Sequence, residues 1–384
     1  MTLEISKKAS RIVQAEIRSM SIECELHNGV NLAQGVCDTE VPFPVRRGAQ
    51  MAIDEGVNSY TRYDGIGELR QAIARKMKSY NGIDANPDTD IVVSSGSTGS
   101  FYAACVSLLN PGDEVILFEP YYGYHVNTLL AVDAVPTYVR MYAPDWTFMA
   151  EDLENAVTPR TRGIMVNTPG NPSGKVFTKR ELQMIAAFAK KHDLFVFTDE
   201  IYEYFLYDGR EHISPATIDG MYERTITISG LSKTFSITGW RIGYSVCHEK
   251  WAKMIGYVND LIYVCAPAPL QMGVAKGLDQ LGADYYENAR KEYAAKRELI
   301  CSTLDKVGLK PCVPQGAYYV LADVTHLSGN TSKDKAMNIL KKTGVASVPD
   351  EAFFHEPGDR QFVRFCFAKH DDELNEACNR LLKL

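Results

Sequence analysis

The sequence predicts an α/β fold, with a large domain built on a mostly parallel seven-stranded sheet flanked by helices and a smaller α+β domain attached to it. Three observations predict it. Short β-branched or aromatic runs alternate with longer helical stretches, which is the pattern of a layered fold with a largely parallel sheet. The chain has 384 residues, more than a single hydrophobic core organises, so two domains are expected. From about Gly282 the texture changes to a long charged helix, ENARKEYAAKRELICSTLDKVG, and then to shorter elements such as AYYVLAD and FVRFCFA.

The strand candidates are Ile91 to Ser95, Glu114 to Phe118, Val135 to Val139, Gly163 to Asn167, Leu194 to Thr198, Thr225 to Ser229 and Ile242 to Cys247. Helices fill the gaps, among them Gly67 to Tyr80, Gly99 to Leu109 and Lys179 to Lys191. The first forty or so residues lack strand rhythm and are expected to form a helix and an extended arm. The domain limits that follow are 1–45 for that helix and arm, packing with the small domain, 46–282 for the large domain and 283–384 for the small one.

Composition excludes several classes of function. A net charge of -7 and the absence of any dense Lys/Arg run argue against a phosphate backbone as partner. No stretch approaches the length of an apolar membrane span, and the N-terminus mixes Lys, Glu and Ser where a signal core would be apolar. A cytoplasmic protein is expected. Its nine cysteines are scattered with no C-x-x-C pair, which fits neither a disulfide framework nor a zinc site. The eight histidines show no metal spacing, so no metal is expected, and His125 and His355 read as surface or packing residues.

Chemically capable residues gather where the predicted strands end, and in open α/β sheets ligands bind beyond the carboxyl ends of the strands. Those positions read SSGSTGS, EPYYGY, NTPGNPSG, DEIYEY and SGLSKTF. Gly96, Ser97 and Thr98 precede the apolar run FYAACVSLL, so free N–H groups and hydroxyls stand at the positive end of a helix, suited to a phosphate. Taken alone they are equally an ordinary N-cap. Asp199 at the mouth of LFVFT is, alone, better read as a helix cap, and a lone Lys233 as a solvated surface group.

The joint occurrence of SKTFSITGWRIGY, NPSG, DEIY and Y-x-x-x-x-G-I-G-E-L-R, across Gly35 to Arg364, overturns those bland readings. Together these motifs resemble the class I/II aminotransferases, pyridoxal-phosphate (PLP) enzymes of fold type I. The resemblance implies Lys233 as the Schiff-base lysine and general base, Asp199 as the partner of the pyridine nitrogen, and Tyr202 with Asn171 at the cofactor's 3′ oxygen. It implies Arg241 on the phosphate, with Gly96, Ser97 and Thr98, and either Ser229 or Ser232 as the phosphate-binding hydroxyl. Position 230, serine in many relatives, is glycine here. Tyr122, preferred over its neighbour Tyr121, matches the residue that stacks on the pyridine ring. Tyr60 matches the tyrosine that reaches the cofactor phosphate of a neighbouring subunit, which implies a homodimer with sites at the interface. Arg364 matches the clamp on the substrate α-carboxylate, with a buried ion pair as the competing reading, and Gly35 a glycine that lets backbone approach the substrate.

The implied activity is a ping-pong transamination between an L-amino acid and a 2-oxo acid. A PLP-dependent lyase or synthase would share the same cofactor apparatus, and a PLP-binding sensor would need a fused DNA-binding domain for which this sequence has no helix-turn-helix extension. Loops near Val36 and Cys37, the arm and the small domain are expected to build the side-chain pocket.

Overall fold

A computed structural model describes residues 3–12 and 16–384; residues 1–2 and 13–15 of the expected N-terminal segment lie outside the described residues. The chain opens with α1 (Glu16–Leu26), the short strand β1 (Val30–Asn31), α2 (Phe43–Asp54) and α3 (Gly67–Lys76). Strands and helices then alternate: β2 (Ile91–Ser95), α4 (Gly96–Leu108), β3 (Glu114–Glu119), α5 (Gly123–Ala131), β4 (Val135–Arg140), α6 (Ala150–Ala156), β5 (Thr161–Asn167) and α7 (Lys179–Lys191). The strands β6 (Phe195–Asp199), β7 (Thr225–Gly230) and β8 (Ile242–Val246) complete the sheet. Helices α8 (Glu249–Tyr263), α9 (Ala268–Gln280) and α10 (Ala283–Lys306) lead to β9 (Lys310–Cys312), β10 (Tyr319–Asp323), α11 (Ser332–Thr343), β11 (Val345–Ala346), β12 (Val348–Pro349), β13 (Phe362–Cys366) and α12 (Asp371–Leu381).

The large sheet has seven strands in the order β2-β8-β7-β6-β5-β3-β4. Only β8 runs against its neighbours; every other pairing is parallel. All seven predicted strands are present, with ends moved by at most two residues. Burial on both faces is why they read as continuous apolar runs, β3 and β6 being buried along their whole length.

Two predicted helices needed correction. The one expected over Gly67 to Tyr80 leaves α-geometry after Lys76 and widens into a π-turn over Met77–Asn81, closed by Gly82 at φ 73°. Lys76 there is drawn inward to Glu203 rather than left in solvent. The helix expected from Gly99 starts at Gly96, so GST forms its first turn. Gly and Ser are poor in a helix interior, but first-turn N–H groups have no intrahelical acceptor to lose. α7 begins as expected because Thr178 and Glu181 form a reciprocal capping box.

The smaller sheet is antiparallel, β12-β13-β10-β9, and the arm strand β1 pairs in parallel with β11. Met20 and Cys24 of α1 join the same apolar cluster as Val345 and Val348. That cluster is continuous with Ile116, Val166 and Val196 beneath the large sheet, passing through Tyr202 and Tyr318. The two sheets are thus coupled through packed aromatic rings. All nine cysteines are free thiols, and all but Cys265 are buried.

Thr178→Ala removes the α7 cap and is expected to lower stability by about 1 kcal/mol. Urea unfolding should show the shift in midpoint.

Candidate active site

The carboxyl ends of β2, β3, β5, β6 and β7 open into a cavity of about 370 Å³. Ser97, Thr98, Tyr122, Asn171, Asp199, Tyr202, Ser232, Lys233 and Arg241 line it, so nine of the residues expected from the sequence converge at one place.

At one end the first turn of α4 meets the turn before β8. Gly96 sits at φ 76°, and a Cβ there would lie 2.4 Å from the Arg241 guanidinium. A Cβ on Gly243 would lie 2.3 Å from the Ser97 nitrogen, so both glycines are required for this close approach. Arg241 is itself left-handed at φ 59° and donates from Nη1 to the Thr238 carbonyl at 3.0 Å. Of the two candidate serines, only Ser232 lines the cavity. Ser229 is corrected: its hydroxyl donates to Glu203 at 2.9 Å, away from the cavity, because it lies within β7 where alternate residues face opposite sides of the sheet.

The Lys233 Nζ donates to the Gly35 carbonyl at 3.1 Å and stands 5.9 Å from the centre of the Tyr318 ring. Burial pushes its pKa below the ordinary lysine value, and Arg241 acts in the same direction. Cys37, Cys366 and Asp199 oppose the shift, but the two thiols do so only as thiolates. Burial raises both of them, Cys366 to about 11, so near neutrality they do little to oppose it.

Asp199 is buried at the end of β6 with its Oδ2 3.0 Å from His125 Nε2, and its Oδ1 accepts from the Ile201 amide at 3.3 Å. His125 is therefore not the surface or simple packing residue that its spacing suggested. It is 5% exposed and packs edge-on against Phe101 and Tyr122, with 5.3 Å between ring centres in each case. Of the two neighbouring tyrosines weighed for the ring, Tyr122 lines the cavity, whereas Tyr121 turns to Tyr138.

Arg364 is completely buried on β13. Its Nη1 donates to Asn171 Oδ1 at 2.9 Å, its Nη2 to the Ala33 carbonyl at 2.6 Å, and its Nε has no partner among the described residues. Among those residues no carboxylate pairs with it, which removes the ion-pair reading. The guanidinium lies over the rings of Tyr319 and Phe353, at 4.4 and 5.1 Å from their centres. Tyr202 meets the Tyr319 hydroxyl at 3.0 Å, and a Cβ at Gly35 would stand 2.0 Å from that same hydroxyl. Tyr60 is not brought to this cavity; it is 83% exposed on the loop before α3.

Residues 27–381 match the family described as aminotransferase class I and II. The chain belongs to that family. It is 34% identical to an aromatic-amino-acid aminotransferase 2 of Thermococcus litoralis, over 100% of this chain and 98% of the relative, and 34% identical to an aspartate aminotransferase of Pyrococcus abyssi with the same coverage. Among solved structures, N-succinyldiaminopimelate aminotransferase from Mycobacterium tuberculosis superposes with a TM-score of 0.94 at 34% identity, covering 99% of each chain. The protein is a PLP-dependent aminotransferase, the first of the activities weighed from sequence.

For this aminotransferase the sequence missed His125, Tyr318 and Tyr319. His125 falls three residues after Tyr122, which caps α5, so the first turn of that helix brings the two rings into contact. Tyr318 and Tyr319 were visible only as part of an apolar run.

Two outcomes follow for this site. Gly243→Ala should weaken PLP retention by at least about tenfold, since about 1.4 kcal/mol of strain at the α4 turn suffices; equilibrium dialysis of the reconstituted protein reads it, and an unchanged affinity would mean the close approach is dispensable. Because burial lowers the Lys233 pKa, its amine should become reactive at lower pH than surface lysines. Acylation of cofactor-free protein across pH 7 to 11, followed by peptide mass spectrometry, should place its half-point below the ordinary 10.5.

Proposed function

We propose that the protein moves an amino group from an L-amino acid to a 2-oxo acid by a ping-pong reaction, with Lys233 holding PLP as a Schiff base. The observation that carries this is Arg364: a buried guanidinium with, among the described residues, an unpartnered Nε and no acid beside it suits a carboxylate that arrives with the substrate. When bound, PLP supplies an aldehyde that condenses with an amine and a protonated ring that accepts the electron pair left at the substrate Cα.

The residues around the cavity fit that group. Gly96, Ser97, Thr98, Ser232 and Arg241 offer donors and positive charge for its phosphate. Asp199, held by His125, would keep the ring nitrogen protonated, a role that requires a carboxylate. Tyr122 would lie against the ring, and Tyr202 with Asn171 would donate to the 3′ oxygen. Lys233, freed when the substrate amine takes its place, would carry the proton from the substrate Cα; burial supports this by favouring its neutral form. Gly35 would let the substrate lie against backbone, and Arg364 would orient its α-carboxylate with Asn171.

Residues 46–282 are proposed as the cofactor-holding domain, with 283–384 and the arm of 1–45 as the smaller one. A homodimer is proposed because Tyr60 and Leu261 are large apolar side chains left 83% and 84% exposed, which a second subunit would cover. A cytoplasmic location is proposed on the free thiols. Among the described residues, no helix is long and apolar enough to cross a membrane.

A panel of amino donors against 2-oxoglutarate and pyruvate tests the activity. One equivalent of 2-oxo acid should appear from the amino acid alone, without ammonia; ammonia release would indicate a lyase. Lys233→Ala should lose at least about a thousandfold in turnover, and Arg364→Lys should raise KM for the amino acid by about tenfold or more. Mixing Tyr60→Ala with Lys233→Ala subunits should restore activity, because one site per hybrid dimer would then be intact. Absence of restoration would mean Tyr60 acts within its own chain or not at all.

A further inference from the structure

Tyr202 and Tyr319 come from distant parts of the chain, the turn after β6 and the start of β10, and their hydroxyls meet at 3.0 Å in the interior. Either oxygen could donate, and the surroundings decide which does. Arg364 lies over the Tyr319 ring and makes that phenol more acidic than burial alone would leave it. For Tyr202, burial raises the pKa, and the neighbouring tyrosines and Asp199 raise it further. The more acidic phenol is the better donor. A hydroxyl also has a single proton, so Tyr202 cannot donate to Tyr319 and to a ligand in the cavity together.

We infer that Tyr319 is a positioning residue for the amino-transfer reaction: it donates to the Tyr202 oxygen and thereby turns the Tyr202 proton toward the cofactor's 3′ oxygen. The inference deepens the proposed function and rests on the placement of Tyr202 given there. The Tyr319 hydroxyl has little freedom to do otherwise. The pairing of Tyr319 with Cys366 fixes it on the small sheet beside Arg364, and Gly35 leaves no room for a Cβ against its oxygen. One ring therefore links the arm, the proposed carboxylate clamp and the phenol that faces the cofactor.

The pH midpoint of the cofactor absorption band in the holoenzyme reads this directly. A donor on the 3′ oxygen draws negative charge away from the nitrogen joining Lys233 to the cofactor and eases its deprotonation, so a weakened donor raises the midpoint. Tyr202→Phe should raise it most. Tyr319→Phe keeps the ring under Arg364 and should raise it by roughly half a pH unit, the scale of part of one hydrogen bond. The double variant should match Tyr202→Phe alone, because Tyr319 acts only through Tyr202. A wild-type midpoint in Tyr319→Phe, or an additive shift in the double variant, overturns the inference while leaving the Tyr202 assignment standing. A wild-type midpoint in Tyr202→Phe removes that assignment and this inference with it. Should Tyr319→Phe fail to fold, Gly35→Ala displaces the same hydroxyl and should shift the midpoint upward; no shift there overturns the inference equally.

Discussion

A buried guanidinium that pairs with no acid among the described residues joins three separated parts of this chain. Arg364 on the small sheet holds Asn171 from the loop after β5 and the Ala33 carbonyl of the arm, and Tyr319 and Phe353 cover its faces. Removing such a charge from water costs several kcal/mol even after relaxation. Two hydrogen bonds and two ring contacts, each on the order of 1 to 2 kcal/mol, together reach a similar size. The Arg364 Nε is left without a partner among the described residues, and under the proposed function a substrate carboxylate would supply one. The same contacts tie the small sheet and the arm to Asn171, which lines the cavity.

Beneath that cavity a second set of buried charges supports the turn after β6. Glu203 pairs with Lys76 at 2.5 Å and accepts from Asn81 at 2.8 Å and from Ser229, while Glu200 accepts from Thr198 and Ser214 and faces His212 at 2.7 Å. Burial alone would raise the Glu203 pKa, but Lys76 and His212 more than reverse it, so its folded-state value is lowered. The stability this pairing contributes is present above the ordinary carboxylate range and is lost as pH falls through the lowered value. Glu200, Glu203 and His212 lie close enough together to ligate a metal ion, yet the Lys76 ammonium already supplies the positive charge there. This network accounts for the π-turn after α3, which carries Lys76 and Asn81 inward, and for the loss of Ser229 from the site.

Much of the site was legible because its groups sit in contiguous motifs at strand ends. SGLSKTF carries both Lys233 and Ser232, NPSG carries Asn171, and DEIY places Asp199 and Tyr202 three residues apart across one turn. Residues whose role depends on a distant contact were not legible. His125 has its meaning only beside Asp199, 74 positions away, and Tyr319 only beside Tyr202, 117 positions away. Ser229 and Ser232 were equivalent in sequence because the end of β7, where one points behind the sheet and the other follows it, is settled by strand register.

The amino-acid sequence by itself determined the alternation of strands and helices, the number of strands in the large sheet and the catalytic motifs, because these follow from local periodicity and from short runs of fixed spacing. Tertiary structure alone decided which serine faces the cavity, which histidine holds the aspartate, and how the arm, Asn171 and Tyr319 converge on Arg364. Those outcomes arise from close packing between segments far apart in the chain, where a side chain's partner is chosen by sheet order and burial, and neither is written in its immediate neighbours.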